Sequence, residues 1–278
     1  MSDAGWFEGL RAEDTDRAVR AIRTGSAETP RDWPARAVES GSVEDESAYY
    51  EWLHEATLEA ARQAVTDRER ASDQQLVHAV RAVDDLSETV NELAERAAEW
   101  AGSQYGESRE GMAYVLEVAD REPETPIETE VVELAGSVRD LRARRDRLRA
   151  VVEEQAELVA PNLSLLAGPL LAARLIALAG SLEALAKKPS GSLQVLGAED
   201  ALFAHLEGHA PSPKHGVIFT HEYVRETRPE KRGSAARALA GKLSIAARID
   251  HYRGELHPDL ERELDERIET VRSGGGEP

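Results

Sequence analysis

The chain has 278 residues and carries 34 Lys and Arg against 53 Asp and Glu, a formal charge of −19. That acidity argues against a simple basic nucleic-acid binder, while a 41% apolar content is enough to bury cores and excludes global disorder. The lack of Cys rules out a disulfide framework, a thiolate zinc site and a cysteine nucleophile.

The start, MSDAGWFEGLRAED, has no basic segment followed by an apolar one, so no signal peptide is expected and the cytoplasm is the expected compartment. Residues 1–66 hold six of the 13 aromatics, Trp6, Phe7, Trp33, Tyr49, Tyr50 and Trp52, with Gly25, Pro30, Pro34 and Gly41 between them. They read as a small N-terminal module, α or α/β, too short for a large independent core.

Residues 67–160 read as a long hairpin of two helices. Leu76, Ala79, Val83, Leu86, Val90, Leu93, Ala97 and Trp100 repeat at the 3-4 spacing that makes helices supercoil, with Asp73 as the expected N-cap. A second seam runs through Ile127, Val131, Leu134, Val138, Leu141, Arg145, Leu148, Val152, Gln155 and Val159. Gly102, Gly106, Gly111, Pro123 and Pro126 break helix between them. The simplest joining is an antiparallel coiled-coil hairpin.

The apolar stretch 158–185 contains Pro161 and Pro169 and is interrupted by Arg174, so a buried core helix is expected rather than a membrane span. Residues 161–254 hold 12 Lys and Arg against 8 Asp and Glu, a net +4, with all five Lys and five of the eight His. This basic island is the one region fit to meet a polyanion. Residues 255–278 carry eight acidic and three basic residues and read as a short helix that frays.

No glycine-rich phosphate loop and no nucleophile elbow occurs. His54-Glu55 and His221-Glu222 each lack the second His of a zinc-protease helix. No catalytic residue, metal or cofactor is therefore expected. On a helix spanning 234–252, Arg237, Gly241, Ser244, Arg248 and His251 share a 4-3-4-3 stripe opposite the apolar Ala236, Leu239, Leu243, Ala246 and Ala247. Two Arg flanking two small residues would let a phosphate backbone approach while the guanidiniums fork onto its oxygens. The loop PSPKHGVIFTH adds Lys214, His215 and His221 around a strand-like VIF, and His rings can stack on unpaired bases. Arg228, Lys231 and Arg232 extend the positive footprint.

Within 161–254, the segments GP-xx-AARLIALAG-x-LE-x-LAK, LQVLGAE-x-ALF, PKHGVIF and RG-xxARALA-x-KL-x-IAAR-x-D occur in order. This region closely resembles the NOP domain of the box C/D ribonucleoprotein scaffold family, the archaeal Nop-five protein and its eukaryotic relatives. The upstream AVDDL is similar too, so the resemblance covers about 67–254. It implies a mainly α scaffold without catalysis, whose helical NOP domain binds box C/D guide RNA together with the small L7-like kink-turn-binding protein. It also implies a homodimer through the coiled coil, here at Val83, Leu86, Val90, Leu93, Val131, Leu134, Val138 and Leu141. A fibrillarin methyltransferase, which holds S-adenosylmethionine, would dock on the N-terminal module, with Tyr49, Tyr50 and Trp52 as the candidate contacts. The implied process is 2′-O-methylation of ribosomal and transfer RNA. Asp200 and Ala204 stand where the family's GAEKALFR is basic, and Ser234 where its RGK has Lys, so binding is expected to lean on shape, stacking and the protein partner. Five Lys against 29 Arg in an acidic chain fits a surface built for concentrated salt, or a GC-rich coding bias in an acidic mesophile.

Overall fold

The computed structural model describes residues 5–11, 13–26, 29 and 31–274. The last residues of the expected acidic tail, 275–278, lie outside them. The chain divides into two compact units, Met1–Ala71 and Ser72–Pro278.

The first unit is built from α1 (Thr15–Thr24), α2 (Trp33–Glu39) and α3 (Glu46–Glu69). Asp32 and Asp45 cap α2 and α3, accepting from the Ala35 and Ala48 amides at 3.2 and 2.8 Å. No strand occurs among the described residues, so the α/β option for this module falls. Its core is aromatic: Phe7, Tyr49 and Trp52 are buried with Leu10, Ala18, Ala37 and Ala56, and the Trp6 indole donates to the Tyr49 hydroxyl at 3.2 Å. The expected boundary at 66/67 falls inside α3, because nothing interrupts that helix before Arg70.

The second unit opens on α4 (Ser72–Tyr105), α5 (Met112–Val118) and α6 (Pro126–Val159). The start of α4 shares a core with the end of α6, through Leu76, Val80, Val83, Val152 and Ala156. The end of α4 shares one with the start of α6, through Val90, Ala97, Ala101, Val131, Ala135 and Val138, so the two 34-residue helices run antiparallel. The link between them is more than a turn. Helix α5 inserts Tyr114, Val115 and Val118 into the distal core. Asp73 is not an N-cap, since α4 begins at Ser72; its carboxylate instead accepts the Leu182 amide at 3.1 Å.

The seam proposed to pair two copies is largely consumed within one. Val83, Val90, Val131 and Val138 are buried, while Leu86, Leu93, Leu134 and Leu141 are half-buried. A hairpin places each helix's apolar stripe against the other, so the four buried valines cannot also face a partner.

The bundle follows: α7 (Pro161–Ala167), α8 (Pro169–Ala179), α9 (Leu182–Lys187), α10 (Ser190–Gln194), α11 (Glu199–Leu206), a 3₁₀ turn at Val217–Thr220, α12 (Glu222–Arg225), α13 (Arg232–Tyr252) and α14 (Asp259–Ser273). Its core is continuous with the proximal hairpin, so residue 160 marks no break in packing. Helices α7 and α8 meet at 116°, pivoting on Gly168 at φ +74° with Pro169 opening α8. No single helix among the described residues is long and apolar enough to cross a membrane. Arg174, the charge inside that apolar stretch, forks onto Asp84 of α4 through Nε at 3.1 Å and Nη2 at 2.5 Å.

Two expectations change here. VIF forms a 3₁₀ turn rather than a strand, with Ile218 buried. The acidic C-terminal segment does not fray over its described length: α14 buries Leu260, Leu264, Ile268 and Val271. Each such side chain contributes about 1.5–3 kcal/mol of burial, which outweighs the charge along the outer face.

Candidate nucleic-acid interface

Helix α13 is rich in Ala and Leu, which gives it helix propensity and a close-packing surface. Ala236, Leu239, Leu243, Ala246 and Ala247 are buried as expected, but Ala235, Ala240, Ser244 and Asp250 join them. The outward residues are instead Arg237, Gly241, Ile245, Arg248 and Tyr252, at 4-4-3-4 spacing. Ser244 is 2% exposed and its hydroxyl has no partner among the described residues, so it cannot meet RNA. His251 is half-buried with its ring edge against Tyr252, 4.5 Å between centroids. At about 100° per residue, 244 and 245 point in different directions, and α13 is packed against α7, α9, α10, α12 and α14.

Asp250 fixes this helix to the rest of the bundle. Its carboxylate accepts the Asn162 and Leu163 amides at 3.0 and 2.8 Å and the Asn162 side chain at 2.7 Å, capping α7. Burial raises its pKa, opposed by these hydrogen bonds. Asn162 then ties in the segment after α13, donating to the Glu255 carbonyl and accepting from the His257 amide.

Lys214 and His215 come beside the N-terminal end of α13. Gly216 lets them do so: a Cβ there would lie 2.0 Å from the Leu196 carbonyl oxygen, and its amide donates to the Gln194 carbonyl at 2.9 Å. The His215 ring stacks on Phe219 at 4.6 Å, and the Arg232 guanidinium lies over Phe219 at 5.4 Å. Burial, then the Arg232 charge, lowers the His215 pKa. Lys214 is exposed.

Other predicted contacts have structural work. His221 accepts the Tyr223 amide on Nδ1 at 3.2 Å and meets the Leu166 carbonyl through Nε2 at 3.0 Å, capping α12. Both ring nitrogens are engaged and burial lowers its pKa, so it is a neutral internal brace rather than a base-stacking residue. Arg232 donates to the carbonyls of Thr227 and Arg225, and Arg228 to that of Arg272. Arg248 donates to the Ala186 and Lys188 carbonyls at 3.1 and 3.4 Å, closing the end of α9 while its side chain stays partly exposed. Arg237 is exposed and Lys231 half-exposed; both line a groove of about 690 Å³ between α13 and α14, with Lys242 paired to Glu263, and with Glu266 and Arg267.

In the first unit, Tyr49 and Trp52 are 3% and 4% exposed and belong to the core, which removes them as docking contacts; only Tyr50, at 59%, faces outward. A grouping the sequence reading missed is Ile245, Tyr252 and Arg253. The 4-4-3-4 spacing was present in the sequence, but without neighbours it could not be preferred over 4-3-4-3.

A family model described as Nop, "snoRNA binding domain, fibrillarin", matches residues 42–270, most of the chain. The chain belongs to the Nop family. A NOP5 family protein of Methanocaldococcus jannaschii is 31% identical over 264 residues, covering 79% of this chain and 62% of that protein. Nucleolar protein 58 of Schizosaccharomyces pombe is 33% identical over 215 residues, covering 64% of this chain and 42% of that protein. The chain thus spans less than two thirds of the length of either relative, 62% and 42%. A chain of the crystal structure of a fibrillarin/Nop5p complex superposes with a TM-score of 0.54 at 28% identity, covering 96% of this chain and 98% of that one. The mainly α architecture is that of the Nop fold.

Proposed function

We propose that this Nop chain is a non-catalytic scaffold of a box C/D RNA-guided 2′-O-methylation particle. The observation that carries the reading is the match over 42–270 to a snoRNA-binding family, together with a bundle whose exposed α13 face and adjoining loop present Arg237, Lys231, Lys214 and His215. In this reading those groups meet the kink-turn guide RNA alongside the L7-like protein. Tyr50 and the first unit are the candidate surface for fibrillarin, which performs the methyl transfer. Leu86, Leu93, Leu134 and Leu141 retain exposure through which a second copy could pair. The acidic remainder suits concentrated salt, where phosphate attraction weakens and contact with a protein partner carries more of the affinity.

A gel shift with kink-turn guide RNA in molar potassium chloride, with and without the L7-like protein, tests this. The expected result is a supershift only when that protein is present. Arg237→Gln should weaken it and reduce the slope of log affinity against log salt by about 1. No supershift at any salt would favour a scaffold that binds protein alone; the exposed Phe203 and Leu206 of α11, flanked by Glu199, Asp200 and Glu207, fit such a role.

A further inference from the structure

The C-terminal end of α13 has a different character from its start. Tyr252 is 66% exposed and Ile245 41% exposed, and with Arg248, Ile249 and Arg253 they line a shallow apolar depression of about 390 Å³. An exposed aromatic ring on the surface of a bundle is usually free to rotate, but the His251 ring sets its edge against this one. The flanking charge is positive. Arg253 is exposed, and Arg248 is held by the Ala186 and Lys188 carbonyls. Lys187 and Lys188 end the helix that Arg248 closes. The nearby acids are Glu183, paired to Lys187, Asp250, buried under its hydrogen bonds, and the exposed Glu255. The Lys187 pKa is raised chiefly by its hydrogen bond to Glu183.

We propose that Tyr252 is a base-stacking residue: an unpaired nucleobase of a bound RNA strand lies on its ring, over the Ile245 and Ile249 side chains, with the adjoining phosphates near Arg253 and Lys188. The chemistry fits one occupant. A stacked base offers a flat face to the ring, and the backbone phosphates on either side of its nucleotide carry the anionic charge that the cationic rim accepts. From Arg237 to Tyr252 the exposed stripe runs 15 residues, about 22 Å along the helix, so one strand can touch both ends. Gly241 between them adds no side chain to block it. This inference rests on the RNA-binding reading and adds a contact that recognises a base rather than a phosphate.

The test uses the full chain and the L7-like protein with a kink-turn guide RNA carrying one 2-aminopurine at an unpaired position, whose fluorescence is quenched on stacking. Tyr252→Phe keeps the ring and should bind and quench as the parent does. Tyr252→Ala and Tyr252→Leu should each lose about tenfold in affinity or more, together with the quenching. If Tyr252→Ala binds and quenches normally while Arg237→Glu weakens binding, the stacking inference fails and the RNA reading stands. If Tyr252→Leu keeps full affinity, the ring acts only as an apolar surface, which suits a protein partner, and the inference is overturned. If the parent chain does not join the RNA carrying the L7-like protein at any salt, both fall together.

Discussion

The α4–α6 hairpin and the α7–α14 bundle were read from the same kind of apolar periodicity, yet the reading fared differently in each. Along most of the hairpin a helix has one main neighbour, so a single apolar stripe identifies the buried side. Val83, Val90, Val131 and Val138 are all buried where the 3-4 spacing put them. In the bundle, α13 packs against α7, α9, α10, α12 and α14, and the buried arc is most of its circumference. A stripe drawn through its polar residues then misses the true opening by one position, at Ser244 and His251. Periodicity finds a face reliably only when there is one face to find.

The hairpin also differs along its length. Between its two cores, residues 84–89 and 139–151 include no fully buried side chain, and α6 there carries Arg139, Arg142, Arg144, Arg145, Arg147 and Arg149. This waist holds the helices together by half-buried contacts, its pairs Arg145–Asp146 and Arg149–Glu153 lying within α6, whereas the bundle is pinned by a buried carboxylate.

The largest expected effect is at that pin. Asp250→Ala leaves three donors without their acceptor, each costing about 1–3 kcal/mol. Urea unfolding should show a lowered midpoint worth at least about 3 kcal/mol, and a loss below about 1 kcal/mol would mean Asp250 does not anchor α13 to α7. Next is the contrast along the hairpin. Val138→Ala removes buried methyl groups in the distal core and should destabilise by about 2 kcal/mol, while Leu86→Ala at the waist should cost less than about 1 kcal/mol despite removing more atoms. Equal losses would show that the waist is as tightly packed as the cores. The smallest effect should be Ser244→Ala. Removing an unpartnered buried hydroxyl is expected to be neutral, or stabilising by about 1 kcal/mol, with RNA affinity unchanged. A drop in affinity at constant stability would return Ser244 to the interface and shift the exposed stripe back to the 4-3-4-3 spacing.

Much of the architecture was legible because it is local. Prolines at 126, 161 and 169 were legible as interruptions, and in the structure each opens a helix, since proline fits the first turn of a helix and little else within one. Arg174 was legible as an interruption of the apolar run, but its partner Asp84 is 90 residues away and no local pattern names it. The same limit applies to the site. Lys214, His215 and Arg237 carry a basic signal wherever they sit, whereas His221 looks like a candidate ligand until the Leu166 carbonyl and Tyr223 amide occupy its two nitrogens.

The sequence by itself determined the mainly helical class, the hairpin and its register of apolar residues, the basic island and the Nop resemblance, because each depends on spacing or composition along the chain. Only the tertiary structure decided that α14 belongs to the core, that Tyr49 and Trp52 are interior, and that α13 shows Ile245 and Tyr252 to solvent in place of Ser244 and His251. Those outcomes depend on which distant helix covers which side, and burial energy is settled by the neighbour rather than by the residue alone.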